Sequence, residues 1–146
     1  MKRLLITGDR KWEDRTLIHK MLERFKNEGY NTLIEGEARG ADLIAREEAE
    51  KIGYSILESA PGVKGFPAKW EEYRLKYPVQ KYGMKWKTAG TDRNTQMLVE
   101  GKPDWFVAFH SNIDESKGTK NMIGQCVKAG IKGILVVDKF TVINYF

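Results

Sequence analysis

The sequence predicts an α/β fold with a doubly wound, mostly parallel sheet of five or six strands and helices on both faces. Three observations point there. Short apolar runs alternate with amphipathic stretches of ten or more residues, the pattern of parallel strands joined by crossover helices. The 146 residues, 41% of them hydrophobic, suit one domain with a sizeable buried core. No internal repeat or low-complexity tract interrupts the chain.

Lys2–Thr7 reads as a short buried strand ending at Gly8-Asp9. From Asp14 the period becomes helical, with Leu17, Ile18, Met21, Leu22 and Phe25 on one face, closed by Asn27–Gly29. Thr32–Ile34 is a second strand, followed by a turn, Glu35–Gly40. Ala41–Ile52 is helical, with Ala41, Ile44, Ala45, Glu48, Ala49 and Ile52 on one face, and Tyr54–Leu57 is a third strand. An aromatic, basic segment then breaks the rhythm, which resumes near Thr91 with a helix through Met97 to Gly101. Asp104–Phe109 makes a fourth strand, Thr119–Ala129 a helix, Gly133–Val137 a fifth strand and Thr141–Tyr145 a sixth. The whole of 1–146 reads as a single Rossmann-like domain with an insertion around 63–87.

Net charge is +5, and its location carries the information. Between Val63 and Lys87 stand seven basic and two acidic residues, a surplus equal to that of the whole chain. The same segment holds Phe66, Trp70, Tyr73, Tyr77, Tyr82 and Trp86, six of the sixteen aromatics. Such a stretch suits phosphates and stacked bases, or a connection pinned to the domain by its rings. The one cysteine, Cys126, excludes an intramolecular disulfide and a cysteine metal cluster. No apolar run is long enough to span a bilayer. The N-terminal apolar run stops at Ile6, so the expectation is a cytoplasmic protein without membrane contact, metal or cofactor.

In doubly wound folds, ligands sit beyond the carboxyl ends of the strands, where strand order reverses. Four loops are therefore candidate ligand sites. Thr7-Gly8-Asp9-Arg10 offers a tight turn and a hydroxyl, though it is neither a dinucleotide fingerprint nor a P-loop. Gly36 and Ala38-Arg39-Gly40-Ala41-Asp42 place an arginine between glycines at a helix start, where amides and the helix dipole favour anions. Asp42 is there either a ligand contact or an ordinary helix-start carboxylate. Gly90-Thr91-Asp92-Arg93-Asn94 precedes a helix that Thr91 or Asp92 would cap, leaving Arg93 and Asn94 to face a pocket. His110-Ser111-Asn112, running to Ser116-Lys117-Gly118-Thr119, makes a polar lip in which His110 is a general base or a donor.

With Phe66-Pro67-Ala68-Lys69-Trp70 and Lys87-Thr88-Ala89 added, these elements resemble the SLOG superfamily of nucleotide-binding proteins, nearest its YspA-like branch. The resemblance implies a nucleotide or nucleotide-derived ligand across the strand ends. More distantly, the arginine four before a methionine (Arg93, Met97) is similar to the LOG phosphoribohydrolases, which cleave the base from a nucleoside monophosphate. Their Pro-Gly-Gly-x-Gly-Thr-x-x-Glu element survives only as Gly118-Thr119, and Met122 stands at the glutamate position.

Three functions follow as expectations. The first is a sensor, carrier or sequestering protein for a nucleotide-derived small molecule, with Trp70 or Trp86 stacked on the base. The second is a nucleotide N-glycosidase using one of Asp9, Glu35, Glu37, Asp42 or Asp92. The third is nucleic-acid binding through the basic, aromatic segment. A homo-oligomer is compatible with all three; an exposed helix face at Ile18, Met21 and Leu22 would permit pairing, but these residues read rather as core.

Overall fold

The protein is described by a computed structural model covering residues 2–146. Six strands form one sheet: β1 (Lys2–Gly8), β2 (Tyr30–Ile34), β3 (Ser55–Ile56), β6 (Trp105–Phe109), β7 (Gly133–Asp138) and β8 (Thr141–Tyr145). They lie in the order β3-β2-β1-β6-β7-β8, all parallel except β8, which pairs antiparallel with β7 at the edge. The α/β, doubly wound architecture is thus as the alternation predicts.

Alternate residues of the central strands feed two cores, as a parallel sheet covered on both faces requires. Leu4, Ile6, Leu33, Val107 and Phe109 point to one face, packed with α1 (Arg15–Asn27) and α2 (Ala41–Lys51). Leu5, Ile34, Phe106, Ala108 and Leu135 point to the other, packed with α5 (Thr88–Gly101) and α6 (Gly118–Lys128). Asp14 caps α1, its carboxylate accepting the Leu17 amide at 3.0 Å. Glu48, which the helical spacing puts on the apolar face of α2, is buried there. It is held by Arg15 at 2.8 Å, His19 at 2.9 Å and Lys51 at 2.9 Å, joining the two helices. The hydrogen bonds from Arg15, Lys51 and His19 pull its carboxyl down to about 2.

The face of α1 at Ile18, Met21 and Leu22 is core, as its reading in the sequence favours. Ile18 and Leu22 are fully buried, and Met21 packs on the same cluster, so helix pairing through these residues is excluded by burial. No helix among the described residues is long and apolar enough to cross a membrane.

Two boundaries differ from the sequence reading. α5 starts at Thr88, not near Thr91, so Gly90, Arg93 and Asn94 lie on its first turns rather than in a preceding loop. Neither Thr91 nor Asp92 caps it: the Thr91 hydroxyl donates to the Thr88 carbonyl, and Asp92 accepts from the Tyr73 hydroxyl. The 63–87 stretch is built rather than looped. A hairpin of β4 (Glu58–Ala60) and β5 (Val63–Lys64) turns at Pro61-Gly62. α3 (Trp70–Lys76), α4 (Val79–Tyr82) and a 3₁₀ turn (Gly83–Lys87) then lead directly into α5. Local contacts between rings account for this: Tyr73 meets Tyr77 edge-on at i, i+4, and Tyr77 meets Tyr82 edge-on across the break between α3 and α4.

Candidate functional site

The chain leaves β1 to one side and β6 to the other, so strand order reverses between them. Gly8 pairs with Phe109 at their carboxyl ends, and the Asp9 amide donates to the Phe109 carbonyl at 2.8 Å. Beyond this junction opens a cleft of about 990 Å³. It is the position a doubly wound sheet assigns to a ligand.

The first two loops meet because Gly40 has φ +77°, a conformation that favours glycine, and because a Cβ there would run into the backbone of Asp9 and Arg10. The Ala41 amide also donates to the Asp9 carbonyl at 3.1 Å. Arg10 and Arg39 are thereby set side by side at the cleft wall. Both are exposed, and among the described residues neither has a carboxylate within 4.0 Å. Gly36 lies behind the wall, where a side chain would collide with Arg93 and Asp42. Part of the set of helix-start amides expected to cradle an anion is already engaged. The Ala41, Leu43 and Ile44 amides already donate to the carbonyls of Asp9, Ala38 and Gly40.

The floor is polar and tightly tied. Arg93 donates from Nη1 to the Gly36 carbonyl and, at 3.4 Å, to that of Phe66, and from Nε to Asn94 Oδ1 at 3.2 Å. Asn94 Nδ2 reaches the Gly118 carbonyl at 3.2 Å and Asn121 Oδ1 at 3.1 Å, fixing α5 against α6. Asp42 is buried; burial pushes its carboxyl up to about 6 against the pull of Arg93 and the Ala38 and Gly36 amides. Glu35, fully buried, accepts the Glu37 amide on Oε1 at 2.7 Å and has no partner for Oε2. Burial drives it up to about 10, so it is a neutral acid in the folded protein. The folded state then keeps a proton that the unfolded chain releases above about 4.5, and stability falls as pH rises from there toward 10. Glu35→Gln should flatten that decline in thermal melts between pH 5 and 9; a slope equal to the parent's would contradict it.

The third side carries His110 and the start of α6. The Asn112 amide donates to His110 Nδ1 at 3.0 Å, which places the proton of the neutral ring on Nε2, 3.8 Å from Asp9 Oδ2. His110 is thus arranged as a donor rather than a base. Ser116 Oγ accepts the Thr119 amide at 3.1 Å and the Lys120 amide at 3.4 Å, so it caps α6 and leaves less of that lip for an anion than expected. Ser116→Ala should lower stability by about 1 kcal/mol, read from chemical denaturation. Ser111 is exposed and does not line the cleft.

The fourth wall comes from the 63–87 segment. Trp70 packs over Gly90, stands edge-on to Trp86 with centroids 6.0 Å apart, and has the Arg10 guanidinium 5.6 Å from its ring centre. Arg74, four residues after Trp70 on α3, sits 4.4 Å from the centre of the Trp86 ring. Thr7, Gly8, Asp9, Arg10, Arg39, Asp42, Trp70, Gly90, Arg93, Asn94, His110, Gly118 and Thr119 all line the cleft; Gly36, Gly40 and Ser111 do not. Sequence reasoning did not single out Lys11 or Arg74, which join the lining together with Lys87 and Lys117. Arg74 was accessible through its i, i+4 spacing from Trp70. The cleft gathers seven basic residues (Arg10, Lys11, Arg39, Arg74, Lys87, Arg93, Lys117) against two acidic ones (Asp9, Asp42).

Little here serves glycosidic cleavage. Met122 is fully buried in the core, Glu35 is neutral, Glu37 pairs with Arg46 at 2.5 Å and Asp92 is engaged by Tyr73. Asp9 Oδ1 accepts the Lys11 amide at 3.0 Å.

Fold and cleft together define a Rossmann-like α/β protein with a cationic, indole-walled site at the strand-order reversal. The model of the YspA, cpYpsA-related SLOG family matches residues 2–73. The Gene 61 protein of Mycobacterium phage D29 is 33% identical over 141 residues, covering 95% of this chain and 99% of that protein. The chain belongs to the SLOG superfamily, on its YspA-related branch. Two solved structures share the fold. DNA processing protein A (DprA) from Streptococcus pneumoniae has a TM-score of 0.63 and 14% identity, over 92% of this chain and 50% of that one. The protein of the same name from Helicobacter pylori has a TM-score of 0.62 and 16% identity, over 96% and 67%, and its structure is described for a unique single-stranded DNA binding mode. This chain thus spans about half the length of the S. pneumoniae protein.

Proposed function

We propose that the cleft binds single-stranded nucleic acid, phosphates on its arginines and lysines and bases against Trp70 and Trp86. One observation carries the reading: seven basic side chains and two indoles converge on a single cleft with two acidic residues. The basic, aromatic segment and the strand-end loops, separate candidates in the sequence, line the same cleft. Cationic grooves with stacking rings are how single strands are held without a dedicated base-reading motif. The single-stranded DNA binding described for the H. pylori relative in fold supports the same reading.

A small nucleotide-derived ligand is the second reading. It is favoured by the buried Arg93–Asp42 floor, whose polar groups suit one bound nucleotide better than a passing strand. Thermal shift separates the two. A ligand at 100 times its dissociation constant stabilises by about 2.7 kcal/mol, several degrees in melting temperature. We expect a 12-residue thymidine strand to produce that shift at micromolar concentration and nucleoside monophosphates to need far more. A shift from a monophosphate as large as from the strand, at equal concentration, would favour the small ligand.

A further inference from the structure

Behind the wall that carries Arg10 and Trp70 lies a second, smaller cavity of about 260 Å³. Arg10, Ala38, Arg39, Trp70 and Arg93 line both it and the main cleft, so the two are neighbouring compartments with a common partition. We infer that they are adjacent nucleoside subsites and that the partition holds the phosphodiester between them. The ligand unit is then two linked nucleosides, not one nucleotide. This rests on the nucleic-acid reading and deepens it.

The chemistry of each compartment differs in the required sense. At the partition, Arg10 and Arg39 are exposed, without a carboxylate within 4.0 Å among the described residues, as a bridging phosphate needs. The Trp70 indole borders both compartments, so it offers apolar surface to a base in either. The small cavity is otherwise lined by Pro67, Ala68, Gly36 and the carboxylate-bearing Glu37. Glu37 is paired with Arg46, so away from the partition arginines the cavity offers the apolar surface of Pro67, Ala68 and Trp70, which suits a neutral ring. The larger compartment, with Lys87 and Lys117 on its far side, takes the other nucleoside and the next phosphate.

The test uses the intact chain and three thymidine probes: the monophosphate, the dinucleotide TpT and a 12-residue strand. TpT should bind at least tenfold more tightly than the monophosphate, although it carries less charge. Ala68→Leu narrows the small cavity from a position that does not itself line the main cleft. It should bring TpT to the affinity of the monophosphate while leaving the monophosphate and the melting temperature unchanged. A 12-residue strand tighter than TpT assigns the linked pair to a polynucleotide, and equal affinity assigns it to a free dinucleotide. If the strand binds but TpT is no better than the monophosphate, the paired subsites are wrong and the nucleic-acid reading stands. If no probe binds, both fall. The parent's TpT-to-monophosphate ratio decides the inference even if Ala68→Leu fails to fold.

Discussion

Arg93→Ala is expected to lower the melting temperature by roughly 10 °C. The guanidinium bridges three elements, bonding the Gly36 carbonyl after β2, the Phe66 carbonyl before α3 and Asn94 on its own helix. Charge-assisted bonds of this kind contribute about 1.5–3 kcal/mol each, and their loss leaves two carbonyls short of a donor beside buried Asp42. A total near 3 kcal/mol corresponds to about 6–12 °C in a domain of this size. Gly36 has no side chain because Arg93 occupies that space. Arg39→Ala is the contrast: an exposed cleft residue whose loss should leave the melting temperature within about a degree while weakening the ligand. Equal effects of the two substitutions on stability would show that the division into internal strut and ligand contact is wrong.

The triple variant Arg10→Gln, Arg39→Gln, Lys117→Gln should lose single-strand affinity by about 100-fold at 0.1 M salt with its fold intact. Each phosphate contact to a single strand adds about 0.7 to the slope of log affinity against log salt. Three contacts therefore remove about two from the slope and, near 0.1 M salt, about two decades of affinity. All three side chains are exposed on the cleft, so circular dichroism and melting should match the parent. Replacing Lys76, Lys81 and Lys85 should do much less. Their ammonium groups lie over Tyr77 and Tyr82, in a satellite cluster outside the cleft. An equal loss from that second triple would move the interface off the strand ends.

Much of this was legible in the residues. The short apolar runs and the period-3.6 stretches placed the sheet and its four main helices, because strand and helix burial is written locally in the spacing of apolar side chains. Glu48 was legible as facing inward, yet only the fold brings Arg15, His19 and Lys51 around it. The strand-end rule located the cleft, and the loop residues Asp9, Arg39 and His110 fall on it. Three things were not legible. The turn around Gly36–Gly40 looked like a phosphate cradle because local sequence does not reveal that the Ala41, Leu43 and Ile44 amides at the helix start already donate to the Asp9, Ala38 and Gly40 carbonyls. The start of α5 was set too late, because Thr91 and Asp92 look like caps while the 3₁₀ turn from Gly83 to Lys87 feeds the helix earlier. And the 63–87 segment was a second candidate interface in the sequence. Only tertiary packing, Trp70 lying on Gly90, joins it to the first in one cleft.

The most direct test is fluorescence anisotropy of a labelled 12-residue single strand, titrated with the unmodified protein at salt concentrations from 50 to 300 mM. The account predicts saturable binding whose log affinity falls linearly with log salt, at a slope of about 3 for four or five phosphate contacts. Absence of binding at 50 mM salt, or an affinity that does not change with salt, would contradict it.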